Sequence, residues 1–244
     1  LQTATEVFVS VADLREEVAA ANRALAGAGL VTLSFGNASG VDRDRDVLVI
    51  KPSGIPCAQL RPEDTVVVSL QDGRVVDGSL RPSSDTPTHR ALYRRFANVG
   101  GIVHTHSPFA TAWAQAGRAI PCLGTTHADH FAGAVPVTRP LTAQEIAADY
   151  EHETGEVIAE TLTECGLDPL AMPAALVVSH GPFTWGVAAS DAAVNAATLE
   201  LVAAMAWHTL ALAPDVQPLG AMLATRHFTR KHGPDAYYGQ PAAQ

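Results

Sequence analysis

Gly101-Ile102-Val103-His104-Thr105-His106 is a β-branched run that reads as a strand, and Ser107-Pro108 follows it at once as a cap-plus-proline helix start. A chain whose strands pass directly into helices must cover a sheet with those helices, so an α/β fold is the first expectation. Similar punctuation recurs along the chain. From Val11 to Leu25 apolar residues return every three or four positions, and Gly27 and Gly29 follow as stop signals. Val47 to Ile50, Thr65 to Leu70 and Arg74 to Asp77 read as short strands, the last two joined across Gln71-Asp72-Gly73. Thr86 reads as the cap of a helix with Pro87 at its first position, and Thr142-Ala143-Gln144-Glu145 is a capping box. The box opens a helical stretch to Cys165, with a break expected near Gly155. Ala175 to Ser179 reads as a buried strand, Ser190 as the cap of a helix to about Leu212, and Gly220 to His232 as a last amphipathic helix. No linker, repeat or low-complexity tract divides the 244 residues, so one domain over 1–244 is expected.

With 47% apolar and 17% charged residues the chain can bury a sizeable core, which excludes intrinsic disorder. Its net charge of −9 repels phosphate backbones and anionic lipid alike, so neither nucleic acid nor membrane is an expected partner. Any anionic small molecule must be held by local donors against that field. Cys57, Cys122 and Cys165 are odd in number and widely spaced, which fits a reducing cytoplasm. The opening LQTATEVFVS has no basic n-region, and Asn195, Glu200 and His208 interrupt the longest apolar stretch, so neither a secretory signal nor a spanning helix is expected.

Side chains two apart on a strand share a face about 6.5 to 7 Å apart, so His104 and His106 can meet one cation. The pair alone is weak support, because the chain has ten histidines. His180, expected at the end of the strand from Ala175, adds a third imidazole at a sheet edge. Three histidines with an open position is a catalytic zinc pattern. Most of the other histidines read as ordinary surface or core residues. Three loops of small polar residues, Gly36 to Gly40, Lys51 to Gly54 and Ser83 to Asp85, suggest a phosphate cradle, although each alone reads as a plain loop or helix cap. Dinucleotide and P-loop nucleotide fingerprints are missing. Gly124 to His130 reads as a solvated loop, and Tyr237 and Tyr238 as part of a frayed tail.

The stretches SFGNASGVDR, VIKPSG, RPSSDTPTHRALYRRF, GGIVHTHS, GTTHADHFAGAVPVTR, SHGPFTWG and RKHGPDAYYGQ resemble the class II aldolase and adducin superfamily, and within it the sugar-phosphate epimerases, nearly end to end. The resemblance implies a three-layer α/β/α domain around a mainly antiparallel or mixed sheet. It implies His104, His106 and His180 as ligands of one divalent cation, usually zinc with manganese or cobalt as substitutes, and Asp85 beside them. It implies Asn37, Lys51, Ser53, Gly54, Ser83 and Ser84 around a substrate phosphate, and Asp129 with Tyr238 as an acid/base pair. His227 and Arg230 match residues that a neighbouring subunit of a homotetramer contributes. Ile55-Pro56-Cys57 and Pro108 depart from the family pattern at positions that touch substrate fit.

The implied reaction explains these residue types. Carbon 4 of a 2-ketopentose phosphate such as L-ribulose 5-phosphate carries no acidic proton, so inversion to D-xylulose 5-phosphate requires breaking and remaking the bond between carbons 3 and 4. A cation bound by the oxygens on carbons 2 and 3 stabilises the resulting enediolate, and two proton-transfer groups serve the two faces of the aldehyde. The same chemistry stopped halfway gives an aldolase of the L-fuculose-1-phosphate type, against which Asp85 argues, because those aldolases carry glutamate there. An adducin-like interaction module without the metal is the third reading, and the three histidines argue against it. Relatives acting in arabinose breakdown and in ascorbate or gulonate breakdown share all these motifs.

Overall fold

The computed structural model describes residues 10–232 and 236–238. Seven strands, β1 (Asn37–Asp42), β2 (Val47–Ile50), β3 (Val66–Ser69), β4 (Val75–Asp77), β5 (Gly101–His104), β6 (Ala174–Val177) and β7 (Gly181–Gly186), form one sheet in the order β4-β3-β2-β1-β5-β7-β6. Every neighbouring pair is antiparallel. The helices are α1 (Val11–Gly27), α2 (Thr86–Arg95), α3 (Pro108–Gln115), α4 (Thr125–Ala128), α5 (Ala143–Glu164), α6 (Ala189–Leu212) and α7 (Ala221–Thr229). Strand alternation sorts the core into two faces. Leu48, Ile50, Val66, Val68, Ile102 and Trp185 pack with Leu92 and Tyr93 of α2 and Ile158 and Leu162 of α5. Val47, Val49, Val67 and Val103 point the other way, onto Leu14 and Val18 of α1 and Ala192 and Ala196 of α6. Helices therefore cover both faces, as the resemblance implies.

Several local expectations need correction. Gly36 to Gly40, read as a loop, contains the start of β1, a central strand. Its small residues have low strand propensity, and tertiary bonds override that: the Asn22 side chain receives the Ala38 N–H at 2.9 Å and donates to its carbonyl at 3.1 Å. Asp85, not Thr86, occupies the cap position of α2 and makes no side-chain cap bond. Ser107 does take the cap position of α3, with Pro108 next, but makes no side-chain cap bond, whereas Ser190 lies inside α6, whose cap position is Ala188. Glu200 accepts the Phe109 and Ala110 N–H groups at the start of α3 (2.8 and 2.9 Å), and Glu17 accepts from Ala189 at the start of α6 (2.7 Å). These carboxylates satisfy orphan donors from distant parts of the chain. The break in α5 falls at Asp149 (φ −145°, ψ 82°), not near Gly155. Ser179 and His180 form the turn between β6 and β7, and β7 itself is unheralded in sequence.

Where β5 meets the start of α6 the backbones nearly touch: a Cβ on Gly101 would lie 2.3 Å from both the Ala188 carbonyl oxygen and the Ala189 nitrogen. Backbone cannot swing aside as a side chain can. Gly101→Ala is expected to cost about 3 kcal/mol, lowering the melting temperature by roughly 6–12 °C. Gly27→Ala, with nothing within 4 Å, should not lower it. Equal melting temperatures for wild type and Gly101→Ala would contradict this contact. Among the described residues no helix is long and apolar enough to cross a membrane, and Cys57, Cys122 and Cys165 are free.

Candidate active site

His104 is the last residue of β5 and shares the α2/α5 face with Ile102. Its ring stacks on Phe183 (centroids 4.2 Å, 17°), and Nδ1 lies 3.0 Å from the Pro182 carbonyl oxygen. A carbonyl only accepts, so Nδ1 carries the proton and Nε2 is left with a lone pair. The chain then brings His106 Nε2 to 3.0 Å from His104 Nε2, and the β6–β7 turn places the His180 ring 4.7 and 5.2 Å from the other two. One nitrogen from each imidazole lies within 4.8 Å of the others. Burial pushes His104 down to about 3, with Asp85 opposing only in part, and burial lowers His180 as well. At neutral pH both are uncharged donors converging on one point, a donor set that fits a divalent cation.

Asp85 stands outside that group of three but on the same cavity, a space of 390 Å³. Its carboxylate accepts from Asn37 Nδ2 at 2.6 Å. Burial would raise its pKa, but the facing imidazoles and the Asn37 amide outweigh burial and keep it below the usual carboxylate value. The same cavity is lined by Asn37, Lys51, Ser53, Gly54, Ser83 and Ser84, all six of the residues expected around a phosphate. Two backbone bonds bring their loops together: Ser53 N–H to the Arg81 carbonyl (2.9 Å) and Ser83 N–H to the Lys51 carbonyl (3.1 Å). Lys51 is 2% exposed, its ammonium pKa is lowered by burial, and its contacts are long ones to the Ser34 and Pro52 carbonyls. Asn37 Oδ1 is buried without a partner. Both groups keep hydrogen-bonding capacity for a ligand.

Tyr150 and Glu151 also line the cavity, and sequence reasoning passed over them. Both lie inside an uninterrupted helical pattern, and neither glycine nor proline marks the break at Asp149 that turns them inward.

Asp129, His227, Arg230 and Tyr238 meet elsewhere. The segment read as a solvated loop forms the short helix α4, against which α7 packs, and Asp129 is buried at the junction. Asp129 Oδ1 accepts from His227 Nδ1 (2.9 Å) and Arg230 Nε (2.9 Å), and its Oδ2 accepts from the far Arg230 nitrogen at 2.6 Å. The Arg230 guanidinium also lies 4.8 Å over the Tyr238 ring. Burial raises the Asp129 pKa, but the bonds from Arg230 and His227 more than offset this and hold it below the usual value. None of these four residues lines the histidine cavity. Within one chain the four form a single cluster around the Asp129 carboxylate.

The family model of the class II aldolase and adducin N-terminal domain matches residues 16–207. L-ribulose-5-phosphate 4-epimerase UlaF of Salmonella typhi is 53% identical over 227 residues, 93% of this chain and 98% of the relative, and that of Salmonella paratyphi C (strain RKS4594) is equally similar. Among solved structures, an L-fuculose 1-phosphate aldolase superposes with a TM-score of 0.74 at 22% identity, covering 89% of this chain and 95% of that one. YgbL from Klebsiella pneumoniae superposes with a TM-score of 0.68 at 28% identity, over 89% and 98% of the two chains. In sheet, helix layers and length of match alike, the chain belongs to the class II aldolase and adducin family.

Proposed function

We propose that this protein is a zinc-dependent L-ribulose-5-phosphate 4-epimerase. The observation that carries this reading is the meeting, in one cavity, of three imidazoles with the asparagine that opens β1 and the lysine and serine groups of two loops. The sugar identity is supported by the curated relatives that share 53% of their residues with this chain. His104, His106 and His180 would hold the ion, with Asp85 beside it. When bound, the ion stabilises the negative charge that develops on the oxygens of carbons 2 and 3 as the carbon 3–carbon 4 bond breaks. Lys51, Ser53, Gly54, Ser83 and Ser84 hold the phosphate, so the glycolaldehyde phosphate fragment turns without escaping. Asp129 and Tyr238 act on the carbon 4 oxygen: one removes its proton during cleavage, and the other returns a proton after the bond reforms on the opposite face.

A proton-transfer group must come within hydrogen-bond reach of its oxygen, and the Asp129 cluster lies off the cavity in a single chain. The reading therefore includes a homotetramer in which the Asp129, His227, Arg230 and Tyr238 cluster of one subunit completes the cavity of the next. Leu201, Met205 and Trp207 on α6 and Met222 and Leu223 on α7 are exposed, as such an interface requires. Purified protein given L-ribulose 5-phosphate should form D-xylulose 5-phosphate. Accumulation of free dihydroxyacetone and glycolaldehyde phosphate would make it an aldolase instead. Mixing inactive His104→Ala with inactive His227→Ala should restore activity through hybrid sites; no recovery despite demonstrated subunit exchange would count against shared sites.

A further inference from the structure

We infer that Tyr150 is a positioning residue for the cation site, its hydroxyl holding Nδ1 of His180 so that Nε2 is the nitrogen left for the ion. The inference rests on the cation reading above. The His104 ring is anchored by the Pro182 carbonyl and by stacking on Phe183, whereas the His180 ring, on the β6–β7 turn, has no backbone carbonyl as a partner among the described residues. Its ring is instead held by Tyr150, whose hydroxyl lies 3.2 Å from Nδ1 and whose ring stacks on it at 6.3 Å and 24°. A ligating imidazole without a fixed second nitrogen can rotate and present either nitrogen, which weakens the site.

The fold places Tyr150 for this contact. At Asp149 the backbone leaves helical geometry, and the Asp149 carboxylate accepts the His152 N–H at 3.2 Å, capping the resumed helix. Thr154 Oγ1 donates to the Tyr150 carbonyl (2.7 Å), and Thr88 Oγ1 from α2 donates to the Glu151 carbonyl (2.5 Å). The break is thus pinned from both helices, and Tyr150 stands over His180 as part of the folded frame.

Cobalt(II) titration of the metal-free protein tests this, because both affinity and visible d–d bands report the ligand set without any assay of activity. Tyr150→Phe keeps the stacked ring and removes only the hydroxyl. It is expected to weaken cobalt binding by about 10- to 100-fold and alter the bands, with the metal-free melting temperature unchanged. Wild-type affinity and bands in Tyr150→Phe would overturn the inference, as would an affinity loss matched by a loss of metal-free stability, which would assign the hydroxyl to the fold. His180→Ala separates the two levels of the argument. If it abolishes binding while Tyr150→Phe changes nothing, only the positioning role fails; if it too binds as wild type, the cation site itself is wrong.

Discussion

His106→Ala is expected to leave a folded protein that no longer retains a divalent cation and turns over at least ~10³-fold more slowly, the several kcal/mol a Lewis acid supplies. His106 is the exposed member of the three, so its removal opens no buried cavity. His104→Ala should lose the ion equally, but at a cost to folding, because it deletes a buried ring from against Phe183 and leaves the Pro182 carbonyl only its longer bond from the Thr105 N–H (3.4 Å). Metal analysis after dialysis, read beside circular dichroism, checks both variants. Full occupancy in both would end the assignment. The two differ again in acid. The folded pKa of His104, about 3, lies below its unfolded value of about 6.5. The unfolded chain therefore takes the proton first. The stability tied to this neutral ring is complete above pH 6.5 and is lost as pH falls toward 3, by up to about 1.4 kcal/mol per pH unit. His89, buried and held near 4 by desolvation, adds to the same slope. Metal-free wild type should accordingly lose stability more steeply below pH 6.5 than His104→Ala does.

What the sequence revealed and what it hid divide along one physical line, the range of the interaction responsible. β2, α1 and α7 were legible because their signals lie within a few residues: alternation, apolar periodicity, a stop glycine. The histidines and the loop residues were legible as types in a pattern, and the sheet then brought them together, although β5 ends at His104 and His106, expected on the strand, lies two residues beyond it. By contrast β1 is held by Asn22, and α3 and α6 are capped by Glu200 and Glu17, residues remote in sequence. β7 escaped notice because Gly181, Pro182 and Gly186 punctuate it like a loop, yet it lies between β5 and β6. Tyr150 and Glu151 escaped for a similar reason: their direction is set by threonine bonds across two helices.

Asp129→Asn is expected to lower epimerisation by about 10² to 10⁴, the usual contribution of a positioned acid or base, without releasing the cation. The substitution preserves shape and leaves an amide oxygen for Arg230 or His227, but removes the charge that accepts a proton. In the folded chain Arg230 and His227 hold the Asp129 pKa down and keep it ionised, so in the proposed reaction it would serve first as an acceptor, with Tyr238, on the same cluster, as the complementary group. Cleavage from one face needs a single acceptor, whereas inversion needs both. Asp129→Asn and Tyr238→Phe should therefore still condense dihydroxyacetone with glycolaldehyde phosphate slowly, each giving mainly one configuration at carbon 4, while wild type gives both. The ratio of L-ribulose to D-xylulose phosphate formed by the three proteins measures this directly. Opposite ratios in the two variants would assign one face to each residue. Wild-type epimerisation rates in both would remove them from the reaction, and the proton transfers would then pass to groups that already line the cavity, Asp85 and Glu151 foremost.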